Sequence, residues 1–419
     1  MSAKKIIIIS ISVLGFIALA VGIYFAWQNS QKILTPPPAA SSGASSQGIT
    51  INQPNNSGPG AVTASKLQVV SKQEILGYWI YNPAVSATST KTSASTTVSA
   101  STSTVVSSIT APTIKSGIYY LSSDGNIFKV SVDGNDTAIT QDGISDIQQI
   151  KSSLDGKRVL VKYGTFISPS FKIFNTESGM FESAPTGITA ADFSPDGKKL
   201  AYFQTSGDKS NLIVKDLVNF KAKLVTVVSI YQKDMDLNWI SANKIILTEK
   251  PTALYAGKAW SVDINKKTFT KLPIAINGAD GQGLMLNWSS NGRLGVEFLT
   301  SADGRGRYLS IVNATGTILA NLNFSTLPNK CFVSDPQIYC AVPDNIPERT
   351  TLPDDYLKNA AYFTDSLYLI DATPGSQNPM TMILDGSGAA IDAMSLKFAD
   401  GKLFFINKYD NKLYALDLR

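Results

Sequence analysis

Asp-Gly pairs recur along the chain, among them those at 124–125, 133–134, 155–156, 196–197, 303–304 and 400–401. Carboxylates beside pliant backbone are the raw material of a calcium loop, and Asp133-Gly134-Asn135-Asp136 is the densest group. Calcium takes about six to eight oxygens, yet neither the EF-hand spacing nor a calcium-binding nonapeptide repeat occurs. Between apolar runs, Asp-Gly reads instead as a hairpin turn, because both residues tolerate positive φ. The chain has no histidine, which removes the commonest general base and the commonest transition-metal ligand. It has no Gly-x-Ser-x-Gly nucleophile motif, and no carboxylate pair announces glycoside hydrolysis. The two cysteines, Cys331 and Cys340, are too few for a zinc site without histidine. These residues predict no catalytic group, no metal site and no cofactor.

Four aromatics, Phe193, Trp239, Trp288 and Phe398, would suit a sugar-stacking platform. They occupy one recurring position, however, and a recurring position in stacked repeats is ordinarily shared core. The recurrence shows which elements must carry them. Phe193-Ser194-Pro195-Asp196-Gly197-Lys198-Lys199-Leu200 is a strand ending in an aromatic, a tight turn and a second apolar strand. Leu237–Leu247, Leu286–Leu294 and Leu396–Phe405 repeat it, and Ser153–Val161 keeps the turn without the aromatic. At Cys331-Phe332-Val333-Ser334 the aromatic shifts or becomes Val333. Four-stranded repeats about 40–45 residues long are the signature of a β-propeller.

Third-and-fourth-strand segments occur at 126–140, 171–183, 211–228, 259–274, 309–323 and 367–384, and a lone third strand, 412–418, ends the sequence. Its missing partner is Lys66–Ser71, which has the right pattern to pair with 413–418 and close the ring, removing open sheet edges. The expected fold is an all-β, seven-bladed propeller over 66–419, with six or eight blades also compatible. The Ser194–Ala201 turn resembles the TolB-like and WD-type propeller repeats, although the Trp-Asp dipeptide is absent. The resemblance covers 66–419, and it implies a fold rather than an activity.

Ahead of the repeats, Lys4 and Lys5 precede an uncharged apolar run, Ile6–Trp27. As a helix its 22 residues would be roughly 33 Å long, enough to cross a bilayer. Tyr24 and Trp27 suit the far interface, and the two lysines hold residues 1–5 in the cytoplasm. The favoured reading is a single-pass anchor with the propeller outside the cytoplasm; the rival is a cleaved signal peptide. Residues 28–65, rich in Pro, Ser and Gly, read as a disordered tether. Residues 84–113, nearly all Ser, Thr, Ala and Val, read as an insertion in the first repeat. The net charge of +5 is modest, and no basic stripe marks a nucleic-acid surface.

The longest connection between second and third strands, which are called B and C below, is 343–363. Loops of this length are commonly functional. It carries Arg349, Asp354, Asp355, Tyr356 and Tyr362, and neighbouring B–C loops add Tyr255, Lys258, Arg305 and Arg307. Rims rich in Arg and Tyr suit protein partners; the loop would equally serve as a cover for its blade. Cys331 and Cys340 are equidistant from the centre of the turn 334–337, so they should face each other across strands A and B. A location outside the cytoplasm then permits a disulfide. The functional expectation is a membrane-anchored binding or scaffolding module for envelope proteins. The alternative is a hydrolase working with carboxylates alone.

Overall fold

The computed structural model describes residues 49–52 (main chain only), 66–82, 117–131, 135–219, 221–232, 234–274, 281–301, 305–377, 379–387 and 389–419. Seven antiparallel sheets follow one another in chain order. Blade three is the plainest: Ile188–Phe193, Lys199–Ser206, Lys209–Asp216 and Val225–Ile230 are its strands A to D. The strand-A and strand-B pairs opening the other blades are 75–81 with 117–122, 147–152 with 158–164, 235–241 with 244–249, 282–288 with 294–300, 331–334 with 337–343, and 393–399 with 402–407. Alternate residues of each strand face the two neighbouring blades, so the core is a chain of interblade clusters. Phe203, Leu212, Leu237, Trp239 and Leu247 between blades three and four are one example.

The ring closes as expected. Leu67–Val69 pairs antiparallel with Lys412–Asp417, with Leu67 opposite Leu416 and Val69 opposite Tyr414. Blade seven thus takes its outermost strand from the start of the propeller. Cys331 is the register partner of Cys340, and the two form a disulfide with Cα atoms 4.1 Å apart.

The apolar run 6–27 and most of 28–65 lie outside the described residues. Among the described residues, no helix is long and apolar enough to cross a membrane. Within the stretch read as a tether, Ile49–Asn52 forms a strand parallel to Ile318–Asn323 and widens blade five to five strands. The insertion 84–113 also lies outside them. Its position in the topology is fixed, because Tyr81 and Gly117 are register partners and 82–116 therefore joins strands A and B of blade one.

Strand direction divides the connections into two sets. B–C loops and the links between blades emerge at one end of the ring. A–B and C–D turns emerge at the other. The Asp-Gly pairs of blades two and three belong to the second set and are built as turns. Asp155 Oδ1 accepts from the Ser153 hydroxyl at 2.6 Å and the Lys157 N–H at 3.0 Å. Asp196 repeats this with Ser194 and Lys198, and Asn291 does so with Ser289 and Arg293. These side chains spend their oxygens on their own turns. Asp133, Gly134, Asp303 and Gly304 lie outside the described residues.

Candidate binding surfaces at the two ends

At the B–C end the long loop, 344–364, is held by a buried ionic cluster. Lys330, Asp365 and Asp392 are all 0% exposed. Lys330 Nζ donates to Asp365 Oδ2 at 2.7 Å, to Asp392 Oδ1 and to the Tyr356 hydroxyl at 3.2 Å. Main-chain donors add to this: Asp392 Oδ2 accepts from Phe363 N–H at 2.9 Å, and Asp365 Oδ2 also accepts from Ala393 N–H at 2.7 Å, while Asp365 Oδ1 is buried without a hydrogen bond. Burial pushes Asp365 up to about 6, against the pull of Lys330, and raises Tyr356 well above the usual phenol range. Tyr356 stacks on Phe363, and Lys408 lies 3.7 Å from the centre of the Tyr356 ring. Lys408 Nζ also donates to the Tyr356 and Ala361 carbonyls at 2.9 and 2.8 Å. Burying a cation between two anions is tolerable only when close geometry and added hydrogen bonds such as these offset the desolvation.

This arrangement sorts the sequence-predicted rim. Tyr356 is buried and serves as a brace. Asp355 accepts from Thr351 N–H at the start of the short helix Asp354–Leu357. Asp354 accepts from Ala253 N–H at 2.6 Å and from the Thr252 hydroxyl at 3.1 Å, tying the loop to blade four. Arg307 is half-buried and leans on the Thr350 carbonyl. Tyr255, Lys258, Arg305, Arg349 and Tyr362 are exposed on the same end. Sequence reasoning missed four other exposed side chains there: Phe166, Ile167, Tyr231 and Tyr409. Their signal was available, since each is a large apolar or aromatic residue inside a short connection.

The A–B end is organised around the channel. Phe193, Trp239, Trp288 and Phe398, the recurring aromatics, all line its cavities. The larger cavity, about 640 Å³, also has Phe332, Leu396 and Lys397 in its wall, with Asn82, Ser152 and Asn287. A smaller one, about 150 Å³, adjoins it and shares Ser152, Ser153, Leu154 and Ser290. Core and platform readings of the aromatics therefore converge, because Trp239 and Phe193 also belong to interblade clusters.

Polar side chains lace the inner strands together around this channel. Lys397 Nζ, on blade seven, donates to the Tyr78 carbonyl of blade one and to the Ser152 hydroxyl of blade two, both at 3.3 Å. Lys151 Nζ of blade two reaches the Leu237 carbonyl of blade four at 2.6 Å and lies 3.9 Å from Asp192. Asp192 accepts from the Trp239 N–H at 2.9 Å; burial raises its carboxyl, with Lys151 pulling the other way. Asn287 donates to the Cys331 carbonyl at 2.7 Å. Strand A has an open edge facing the channel, and these bonds use groups that would otherwise be unpaired. Asp192 is the one carboxylate lining either cavity.

No protein-family model and no curated protein matches the chain. Similar solved structures are propellers. TolB from Acinetobacter baumannii aligns at 13% identity over 61% of this chain and 57% of its own, with a TM-score of 0.39. Oligogalacturonate lyase from Vibrio parahaemolyticus aligns at 11% identity over 72% of this chain and 86% of its own, with a TM-score of 0.47. The β-propeller domain of the Trilobed protease from Pyrococcus furiosus aligns at 14% identity over 62% and 78%, with a TM-score of 0.39. The aligned part of this chain thus spans little more than half of TolB. Likeness at these identities concerns the fold alone.

Proposed function

We propose that this protein is a membrane-anchored binding or scaffolding module, displaying its propeller outside the cytoplasm and engaging a protein partner through the B–C end. One observation carries the reading. The most exposed aromatics concentrate on that end: Phe166 is 89% exposed, Tyr231 and Tyr255 71%, and Tyr362 and Tyr409 46%. Aromatic side chains offered on a surface are what protein interfaces bury at their centres. The loop that presents Tyr362 is tied to blades four and seven by Asp354 and Lys408, so ordering it on binding costs little. The anchor is a reading of the run 6–27.

The test is position-specific. A photo-crosslinking residue at Tyr255 or Tyr362, installed in the native cell, should capture one common partner. The same residue at Val218, which is 62% exposed on a C–D turn at the opposite end, should not. Equal capture at both ends, or none at either, overturns the reading. Protease added to intact spheroplasts checks topology separately: a protected propeller would place it inside the cytoplasm.

A further inference from the structure

We propose that the A–B end of the channel is a binding site for a small organic anion, a carboxylate borne on a flat ring. Its charge partner is Lys397, and Trp288 and Phe398 flank the ring.

The larger cavity has one cation in its wall, Lys397, and no carboxylate. Among the described residues, no acid lies within ion-pairing distance of Lys397. Its two acceptors are both neutral and both distant, at 3.3 Å, and an ammonium has three protons to place. Two further donors border the combined space. The indole N–H groups of Trp288 and Trp239 are buried and have no acceptor, although Trp239 is almost fully enclosed. Native interiors rarely leave such donors unpaired, and each one needs a reason. Among the described residues, the larger cavity thus holds a cation among neutral hydroxyl and amide groups with no carboxylate to balance it, a setting that suits an anionic ligand.

The lysine ends a strand-A register slip of a kind that most blades share. Strand A of blade seven slips register between Met394 and Lys397, with Ser395 in the left-handed region at φ 55°. The Tyr78 hydroxyl donates to the Ser395 carbonyl at 2.7 Å, which fixes the bulge. Bulges of this kind re-aim side chains and gather at sites. The rest of the wall is largely aromatic and apolar, from Trp288, Phe332, Phe398, Ile80 and Leu154, with Asn82, Ser152, Ser153, Asn287 and Ser290 as its polar members. It suits a flat ring better than a fully hydrated ion such as phosphate. Burial pulls Lys397 down to about 8, so it is still protonated at neutral pH, and an anion beside it would relieve the cost of that charge.

The experiment is a fluorine NMR titration of the purified full-length chain in detergent micelles, with protein-free micelles as baseline. The probes are para-fluorobenzoate and its neutral isostere para-fluorobenzamide. Benzoate should bind saturably and about tenfold or more tighter than the amide, the worth of one charge-assisted hydrogen bond. Lys397→Met should reduce benzoate to the level of the amide, and Lys397→Arg should restore it. Trp288→Phe, which keeps the ring and removes the N–H, should weaken benzoate more than the amide. Circular dichroism and melting verify that each variant is folded, and Trp288→Phe supplies the arm that leaves the lysine untouched. Equal binding of the two probes by the unaltered chain overturns the proposal. So does undiminished benzoate binding by folded Lys397→Met, or no saturable binding up to about 20 mM, where a site this weak would have no recognition to offer.

Discussion

Lys330 and Lys397 are both lysines in the blade-to-blade core, and their surroundings are opposite. Lys330, at the B–C end, sits between two carboxylates and a phenol, and these give its ammonium three acceptors. Lys397, at the A–B end, has a carbonyl, a hydroxyl and the face of the Tyr78 ring at 5.3 Å. The first cation has an acceptor for each of its protons and serves to hold structure. The second has a charge and indole donors to spare. The end that looks functional from its loop length has turned its ionisable groups inward as braces and shows aromatics to solvent. The opposite end holds its cation inside the channel. A long loop is thus a guide to where a surface is presented, and unspent donors are a guide to where a small ligand would fit.

The largest effect should come from removing the brace. Lys330→Met leaves Asp365 and Asp392 buried without their bonded counter-charge, and breaking such a group typically costs ~3–5 kcal/mol. Denaturant unfolding should show that loss. Hydrogen exchange should show 344–364 opening while blades two and three keep their protection. Unchanged exchange in the loop would mean that packing of Tyr356 and Phe363, and not the charge, holds it.

Second in size is the disulfide. Cys331→Ala with Cys340→Ala removes a bridge closing a short loop, for which about 2–3 kcal/mol is the usual range. The pair lies in strands A and B of blade six, one residue from Lys330, yet it shares no contact with the ion cluster's acids. Stability should fall without releasing 344–364. Release of that loop on reduction would couple the two features and blur the contrast drawn between brace and channel.

Much of the fold was legible because it is repetitive. A turn such as Ser194–Ala201 fixes two strands and their register, and five approximate copies fix a ring. Closure by 67–69 followed from an unpaired third strand, and the cysteine pairing followed from symmetry about the 334–337 turn. The ion cluster was not legible. Lys330, Asp365, Asp392 and Lys408 are up to 78 positions apart (408 − 330), and each sits beside a strand end where a charged residue is normally solvated. Only the stacking of blade seven on blade six brings them together. Tyr356 was assigned to the rim for the same reason, since loop membership alone does not say which way a side chain turns. The recurring aromatics posed an opposite difficulty, because one position in a propeller serves both core and channel wall.

The third prediction reverses the sign of the first. Burial pulls Lys397 from 10.5 down to about 8. Its folded form disfavours the proton, so the unfolded chain binds more protons between those two values. Stability should therefore rise with pH from about 8 towards 10.5, and below 8 the full penalty is present. Lys397→Met removes the penalty at the cost of two long hydrogen bonds. The variant should be ~1–2 kcal/mol more stable at pH 7 and should lack the rise at high pH. A loss comparable to that of Lys330→Met would make Lys397 a brace after all, and the two ends would then be alike.

The smallest effect on stability, and the sharpest on function, is expected at the exposed tyrosines. Among the described residues, Tyr255 makes no stacking contact, and Tyr362 has a tilted ring contact with Tyr409 at 5.6 Å and Lys408 above it. Lys408 retains its two carbonyl acceptors and the Tyr356 ring without Tyr362. Tyr255→Ser with Tyr362→Ser should therefore change unfolding free energy by no more than ~0.5 kcal/mol, the range for surface sites free of special features. Partner capture is another matter, because truncating a central interface aromatic commonly costs ~2 kcal/mol or more. In-cell crosslinking from an unaltered neighbouring site, such as Arg349, should fall in the double variant and stay unchanged in Val218→Ser. A double variant that keeps full capture would leave the B–C end as a well-braced surface with no partner of its own, and the search for one would move to the channel.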